Sequence, residues 1–305
     1  MIKVAVLITC FNRKNKTLEC IKHLYKQDCL DKVEISIFIV DGGSSDGTPD
    51  LVRDNYPDVH IDVQNGLFWA GGMRKAWKNA LSSQNFDFLW LVNDDTNLFD
   101  NSLAILLDVH MYAITKYKKA GVYSGCTKDP KSGLLTYGGQ ILLNRHHIKG
   151  RLVAPNGHYQ ECDLCNGNTL LIPSEVYMTI GGLYDDCTHG IADWEYSLRA
   201  KKNGLPVLLA PVYVGNCERD HGKPWLSMKH SLKQRLAYLH SPKGLSYSEF
   251  LRFVKLYFPR DYYPIMFRMW IKTLFPFIYD IFKNNSSLKF EIMAKQLYVA
   301  SQRVL

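Results

Sequence analysis

Three apolar segments, residues 4–9, 33–40 and 86–92, each stop abruptly at a polar cluster. A strand that is apolar along its whole length is buried on both faces, which requires helices on both sides of a parallel sheet. The intervening stretches supply them. Residues 15–27 carry Leu18, Ile21, Leu24 and Tyr25 at helical spacing, and Thr48-Pro49 reads as an N-cap followed by proline at the first helical position. Strand–helix alternation of this kind predicts an α/β domain with a mostly parallel sheet flanked by helices.

The alternation continues along the chain. A third strand is expected at 59–63, a helix at 71–82 behind the pair Gly71-Gly72, and a long helix from Asp100 to about Lys119 closed by Gly121. The second half predicts a hairpin over 134–143 around Gly138-Gly139 and a strand over 164–172. After these come a short helix capped by Ser174, a helix over 192–203 stopped by Gly204, and a strand over 206–214.

Ligands of open α/β sheets bind beyond the carboxyl ends of the strands. Thr9, Cys10, Phe11, Asn12 and Arg13 follow the first strand, Asp41 ends the second, and Asn93-Asp94-Asp95 follows the fourth apolar run. No glycine falls between Thr9 and Lys14, so the G-x-G-x-x-G dinucleotide site is excluded, and no P-loop is present. Phosphate charge then has to be met in another way. A metal held by Asp95 would do it, because Mg²⁺ and Mn²⁺ take oxygen ligands from one or two carboxylates and from substrate phosphates.

The segments VAVLITCFNR (4–13), VDGGSSDGT (40–48), LVNDDT (91–96) and ADWEYSLRA (192–200), in this order, resemble the family 2 glycosyltransferases of the GT-A fold, bacterial polysaccharide-biosynthesis type. The resemblance covers roughly residues 1–220. It implies an inverting hexosyl transfer from a UDP- or dTDP-sugar to a saccharide or lipid-linked acceptor, in one displacement helped by a divalent metal, Mg²⁺ or Mn²⁺. Thr9, Phe11, Arg13 and Asp41 would hold the nucleotide, and Asp94 the sugar or ribose. Trp69, Gly72 and Arg74 would line the donor side. Asp95 and His221 would bind the metal, Asp193 would be the general base, and His189 and Trp194 would face the acceptor. Three departures from the pattern are Asn93 for a common Asp, Ala192 for a common Glu, and Met73-Arg74-Lys75 where relatives carry asparagines.

The physics of Asp193 agrees with its implied role, since a helix start favours the ionised carboxylate that a base must be. Other readings stand beside these. A lone Asp95 is a solvated turn, Asp193 a helix cap and Cys162-x-x-Cys165 two buried small residues on a strand. Two rival functions are a sugar nucleotidyltransferase and a non-catalytic saccharide- or membrane-binding module. The first lacks its glycine- and arginine-rich loop here, and the second has no need of a base.

Charge separates the chain into 1–227, the expected catalytic domain, and 228–305, which holds 13 Lys/Arg against 4 Asp/Glu. Ten aromatics lie within 257–282. The longest uncharged run from Lys272 to Asp280 is far short of the roughly 20 residues that span a bilayer. This tail is expected to form a basic, aromatic helical segment in peripheral contact with a membrane through 257–283, without nucleic acid as partner. A packed helical subdomain and a homodimer contact are its alternatives. Eight cysteines without the spacing of a disulfide scaffold, and the absence of a signal-peptide pattern at Met1, predict a cytoplasmic protein, peripheral at the inner membrane face.

Overall fold

The computed structural model describes residues 1–219 and 225–280. The chain divides into two compact units, 1–220 and 221–305. The first opens with β1 (Ile2–Cys10), α1 (Lys14–Leu24), β2 (Val33–Asp41), α2 (Thr48–Asn55), β3 (His60–Val63), α3 (Phe68–Ser83) and β4 (Phe88–Val92). There follow β5 (Asn97–Leu98), α4 (Ser102–Tyr117), β6 (Val122–Lys128), β7 (Leu135–Tyr137), β8 (Gly139–Asn144) and β9 (His147–Leu152). The unit ends with β10 (Gln160–Glu161), β11 (Leu164–Cys165), β12 (Thr169–Pro173), α5 (Ser174–Ile180), α6 (Ala192–Lys202) and β13 (Val207–Asn216).

The main sheet runs β10-β13-β6-β12-β4-β1-β2-β3, with β5 on β13 and β7 on β6. Strands β3, β2, β1 and β4 are mutually parallel, and β12 lies antiparallel between β4 and β6. Alternation along β1 feeds two cores. Val4, Val6 and Ile8 pack with Ile21 and Leu24 of α1 and with Leu103 and Leu106 of α4. Ala5 and Leu7 pack on the other face with Met73 and Ala76 of α3 and with Tyr196 and Ala200 of α6. The result is a GT-A-like α/β fold, a mostly parallel sheet with helices on both faces. Register sets the functional edge, because Thr9 pairs with Val40 and Cys10 with Asp41, so β1 and β2 end level.

Several elements differ from the sequence expectation. Helix α3 begins at Phe68, so the glycine pair lies inside it. A Cβ on Gly72 would come within 2.3 Å of the Thr9 Oγ1, so the missing side chain is what lets α3 close on β1. The run 164–172 is two strands, β11 and β12, in different sheets, separated by Asn166-Gly167-Asn168. The expected hairpin around Gly138-Gly139 is a sheet crossing instead. There β7 pairs with β6, while β8 joins β9 and β11 in a separate three-stranded sheet. Helix α4 stops at Lys118, in the left-handed conformation at φ 55°, before Gly121 is reached.

The second unit contains α7 (Leu232–His240), α8 (Tyr247–Tyr257), a 3-10 turn (Pro259–Asp261) and α9 (Tyr262–Leu274). A capping box between Ser231 and Gln234 starts α7. Arg235 donates to the Thr273 carbonyl at 2.7 Å, joining α7 to the end of α9. The Trp270 indole donates to the Tyr247 hydroxyl at 3.0 Å, joining α9 to α8. None of the helices among the described residues is long and apolar enough to cross a membrane.

Candidate active site

The loops after β1 and β2 are zipped together. Asn12, with φ 53°, donates its N–H to the Ser44 Oγ at 2.7 Å and accepts the Ser45 N–H at 2.8 Å. Asp46 accepts N–H groups from Lys14 and Thr48, both at 3.1 Å. Asp41 is fully buried and saturated. Its carboxylate accepts the N–H groups of Gly43 at 2.9 Å and Ser44 at 2.6 Å, the Ser44 hydroxyl at 2.6 Å and the Cys10 thiol at 3.3 Å. Asp41 thus holds up the loop that a nucleotide would meet. Phe11, half exposed, lies over Gly42, and Thr9 lies against Gly72.

Beyond β4 the balance is different. Asp94 is buried, and its Oδ2 finds no hydrogen-bond partner among the described residues. One guanidinium nitrogen of Arg13 bridges Asp94 at 3.2 Å and Asp95 at 2.9 Å. Burial pushes the Asp94 carboxyl up to about 7, Arg13 pulls it down, and neighbouring Asp95 adds to the rise. The Cys217 thiol points at the Asp95 Oδ1 at 3.6 Å. Burial first, and Asp95 second, raise this thiol to about 12, so it is a neutral donor and not a thiolate ligand. Two hard carboxylates around one cation suit Mg²⁺ or Mn²⁺, which complete their shells with phosphate oxygens and water. Among the described residues no cluster of three His, Cys, Asp or Glu side chains could hold a metal. His221, the other expected ligand, lies outside the described residues.

Asp193 sits in the first turn of α6, behind Ile191, a β-branched residue held at φ 64°. Such a residue in the left-handed region costs about 1–3 kcal/mol and marks a position that the surroundings over-determine. The Asp193 Oδ2 accepts the Gly167 N–H at 2.9 Å, and Oδ1 accepts the Trp194 N–H at 2.8 Å. Burial raises its carboxyl to about 6 against these hydrogen bonds. Trp194 therefore touches the Asp193 carboxylate through its backbone.

The residues 166–168, between β11 and β12, tie the two carboxylate regions together. Gly167 holds Asp193, and the Asn168 carbonyl accepts the Asn93 N–H at 3.1 Å. The Asn168 amide donates to the Cys217 Sγ at 3.6 Å, and that thiol donates in turn to Asp95. Trp69 lies across the same strap. Its indole donates to the Asn93 Oδ1 at 2.8 Å, and its ring would meet a Cβ on Gly167 at 2.4 Å. Sequence reasoning missed Asn166, Gly167, Asn168 and Cys217. The Asn-Gly-Asn break inside an apolar run was the available signal for three of them. Nothing local marks Cys217.

Arg74 turns to a different task. It donates to the carbonyls of Tyr184 at 2.8 Å and Cys187 at 2.7 Å and pairs with Asp185 at 3.3 Å, so it fastens the loop before α6. His189 belongs to that loop, and its Nδ1 accepts the Trp69 N–H at 3.3 Å. The start of α3 is thereby fixed to the approach to Asp193. Cys162 and Cys165 are buried with sulfurs 3.6 Å apart, and the contact with Cys165, followed by burial, pushes the Cys162 thiol well above its usual range.

No curated relative shows significant sequence similarity. Among solved structures, TarS from S. aureus (residues 1–349, in complex with UDP-GlcNAc) aligns with a TM-score of 0.52 at 15% identity, covering 73% of this chain and 60% of that one. A longer TarS structure from S. aureus gives 0.50 at 16%, covering 71% and 37%. A mannosyltransferase from Pyrobaculum calidifontis in complex with GDP-Man and Mn²⁺ gives 0.46 at 18%, covering 70% and 56%. This chain thus spans 37% to 60% of the length of these three. The TarS likeness establishes the fold. The model of the family described as Glycosyltransferase like family 2 matches residues 3–240, more than half of the sequence, and the chain belongs to that family.

Proposed function

We propose that this chain is an inverting, metal-dependent glycosyltransferase that moves a hexosyl group from a nucleoside-diphosphate sugar to an acceptor hydroxyl in cell-surface polysaccharide synthesis. One observation carries the reading. A carboxylate pair with a bare buried oxygen and a third carboxylate at a helix start are both fixed to the strap 166–168. That is the arrangement that displacement between two bound substrates needs, with leaving-group charge handled on one side and a proton removed on the other.

Asp94 and Asp95 would hold the divalent ion, with Arg13 beside them. When bound, the ion would neutralise charge building on the departing diphosphate. The loop shaped by Asp41, with Thr9 and Phe11 at its mouth, receives the nucleotide. Trp69, set between Asn93 and Gly167, would line the side on which the sugar is held. Asp193 takes the proton of the acceptor hydroxyl at its carboxylate. A base near pH 6 is mostly ionised at neutral pH and still strong enough to accept a proton. His189 and Trp194 lie on the acceptor approach, and the acceptor is a saccharide or a lipid-linked saccharide. TarS was solved with UDP-GlcNAc, which makes UDP-sugars the first donors to try.

The test is release of nucleoside diphosphate from a panel of UDP-, dTDP- and GDP-sugars, with Mn²⁺ and with chelator. The expected result is metal-dependent release from one nucleotide class, lost in Asp193→Asn when acceptor is present. Release from none of them by a folded protein would overturn the reading.

A further inference from the structure

In the second unit α9 has two apolar faces. Ile265, Met269 and Thr273 are buried. Tyr263, Phe267, Ile271 and Leu274 recur on the opposite side and stay open to solvent, with Tyr263 at 65% and Phe267 at 60% exposure. Phe275 and Phe277 extend the stripe past the helix end. Single exposed apolar residues are ordinary, but a contiguous stripe of large ones on one helix face marks a contact site.

The margins of the stripe are cationic. Arg260 stands in the turn just before Tyr263, and Arg268 follows Phe267 on α9; both are exposed. The Lys255 ammonium sits 6.0 Å from the Tyr262 ring, which stacks edge-on against Tyr263 at 5.2 Å. Lys272 lies half-buried over the rings of Trp225 and Tyr279. Burial lowers its pKa, and the Arg268 charge lowers it further. Two acids stand here: Asp261 follows Arg260 in the turn, and Asp280 is engaged by the Trp225 indole at 2.9 Å and the Met228 N–H at 3.3 Å, so the cations Arg260, Arg268 and Lys255 are in excess along the stripe.

We infer that α9 lies in the interface of an anionic lipid bilayer, with Tyr263, Phe267, Ile271 and Leu274 among the acyl chains and Arg260, Arg268 and Lys255 on the headgroup phosphates. Charge complementarity selects this occupant. An apolar face rimmed by cations fits an anionic bilayer, whereas a second copy would bring the same cations against themselves. At 13 residues α9 is too short to cross the roughly 30 Å hydrocarbon core, so the helix itself lies along the surface.

The experiment is sedimentation of the full chain with vesicles of equal parts phosphatidylglycerol and phosphatidylcholine, and with pure phosphatidylcholine. Binding to the anionic vesicles alone, weakening as salt rises, is expected. Arg260→Gln with Arg268→Gln should lower it about 5-fold per arginine, and Phe267→Ser with Ile271→Ser should lower it more than about 10-fold. A helical circular dichroism signal and thermal melt matching the wild type certify that each variant keeps its second unit folded. No vesicle binding by the wild type would overturn the inference. So would binding only by a chain ending at Asp280, which would mean that residues 281–305 cover the stripe. A dimer broken by the serine variants, without vesicle binding, would identify a second copy as the occupant and overturn it too.

Discussion

The loop after β2 and the turn after β4 both place a buried aspartate at the carboxyl edge of the sheet, and they use it in opposite ways. Asp41 receives four donors from its own neighbourhood. Among the described residues Asp94 receives Arg13 and keeps one oxygen bare. Buried polar groups are nearly always satisfied, so the two carboxylates differ in what a bound ligand could still add to them. Asp193 stands between them, with two backbone donors and a carboxyl still raised to about 6 by burial.

The largest effect expected of any change to these carboxylates is at Asp193. Asp193→Asn keeps the shape and removes the proton acceptor, so kcat should fall about 10²–10⁴-fold in a turnover assay while the circular dichroism spectrum is unchanged. Turnover within about 3-fold of wild type would remove Asp193 from the chemistry.

A pH profile sharpens the same point. The base works when ionised, so kcat/KM should fall tenfold per unit below about pH 6 and level off above it, and Asp193→Asn should erase that limb. The stability sign runs the other way. A carboxyl raised from 3.8 to about 6 is a cost to the fold once ionised, so its contribution to stability falls as pH rises through that window.

Urea denaturation separates the two edge aspartates directly. Asp41→Asn places an amide group among donors and should cost about 2–3 kcal/mol. Asp94→Asn removes a charge whose oxygen is bare, and should cost less than about 1 kcal/mol. Equal losses would erase the distinction between them. The smallest effect belongs to Arg13→Gln. The Arg13 side chain is half exposed, and stability should change by less than about 1 kcal/mol at moderate salt.

The strand–helix alternation of the first half, and the placing of Thr9, Asp41 and Asp95 at or just after strand ends, were readable because they rest on periodicity and on chain order of short motifs. What escaped reading depends on contacts far apart in sequence. Arg74 looks like a donor-side cation until the loop at 184–187 takes up its guanidinium. The run 164–172 reads as one strand, yet Asn166-Gly167-Asn168 divides it between two sheets, and only the fold shows that this break carries Asp193. The pair Gly138-Gly139 has the composition of a hairpin turn, but the close approach of Cys126 and Cys162 is what requires glycine there. The saturation of Asp41 is likewise invisible in a motif, because its fourth donor, Cys10, comes from the neighbouring strand.

Calorimetry of UDP, dTDP and GDP binding, with and without Mn²⁺, on the wild type and on Asp95→Ala tests the central claim most directly. The account predicts Mn²⁺-dependent binding of one nucleotide class that Asp95→Ala abolishes. Binding that ignores both Mn²⁺ and the substitution, or no binding by the folded protein, would contradict it.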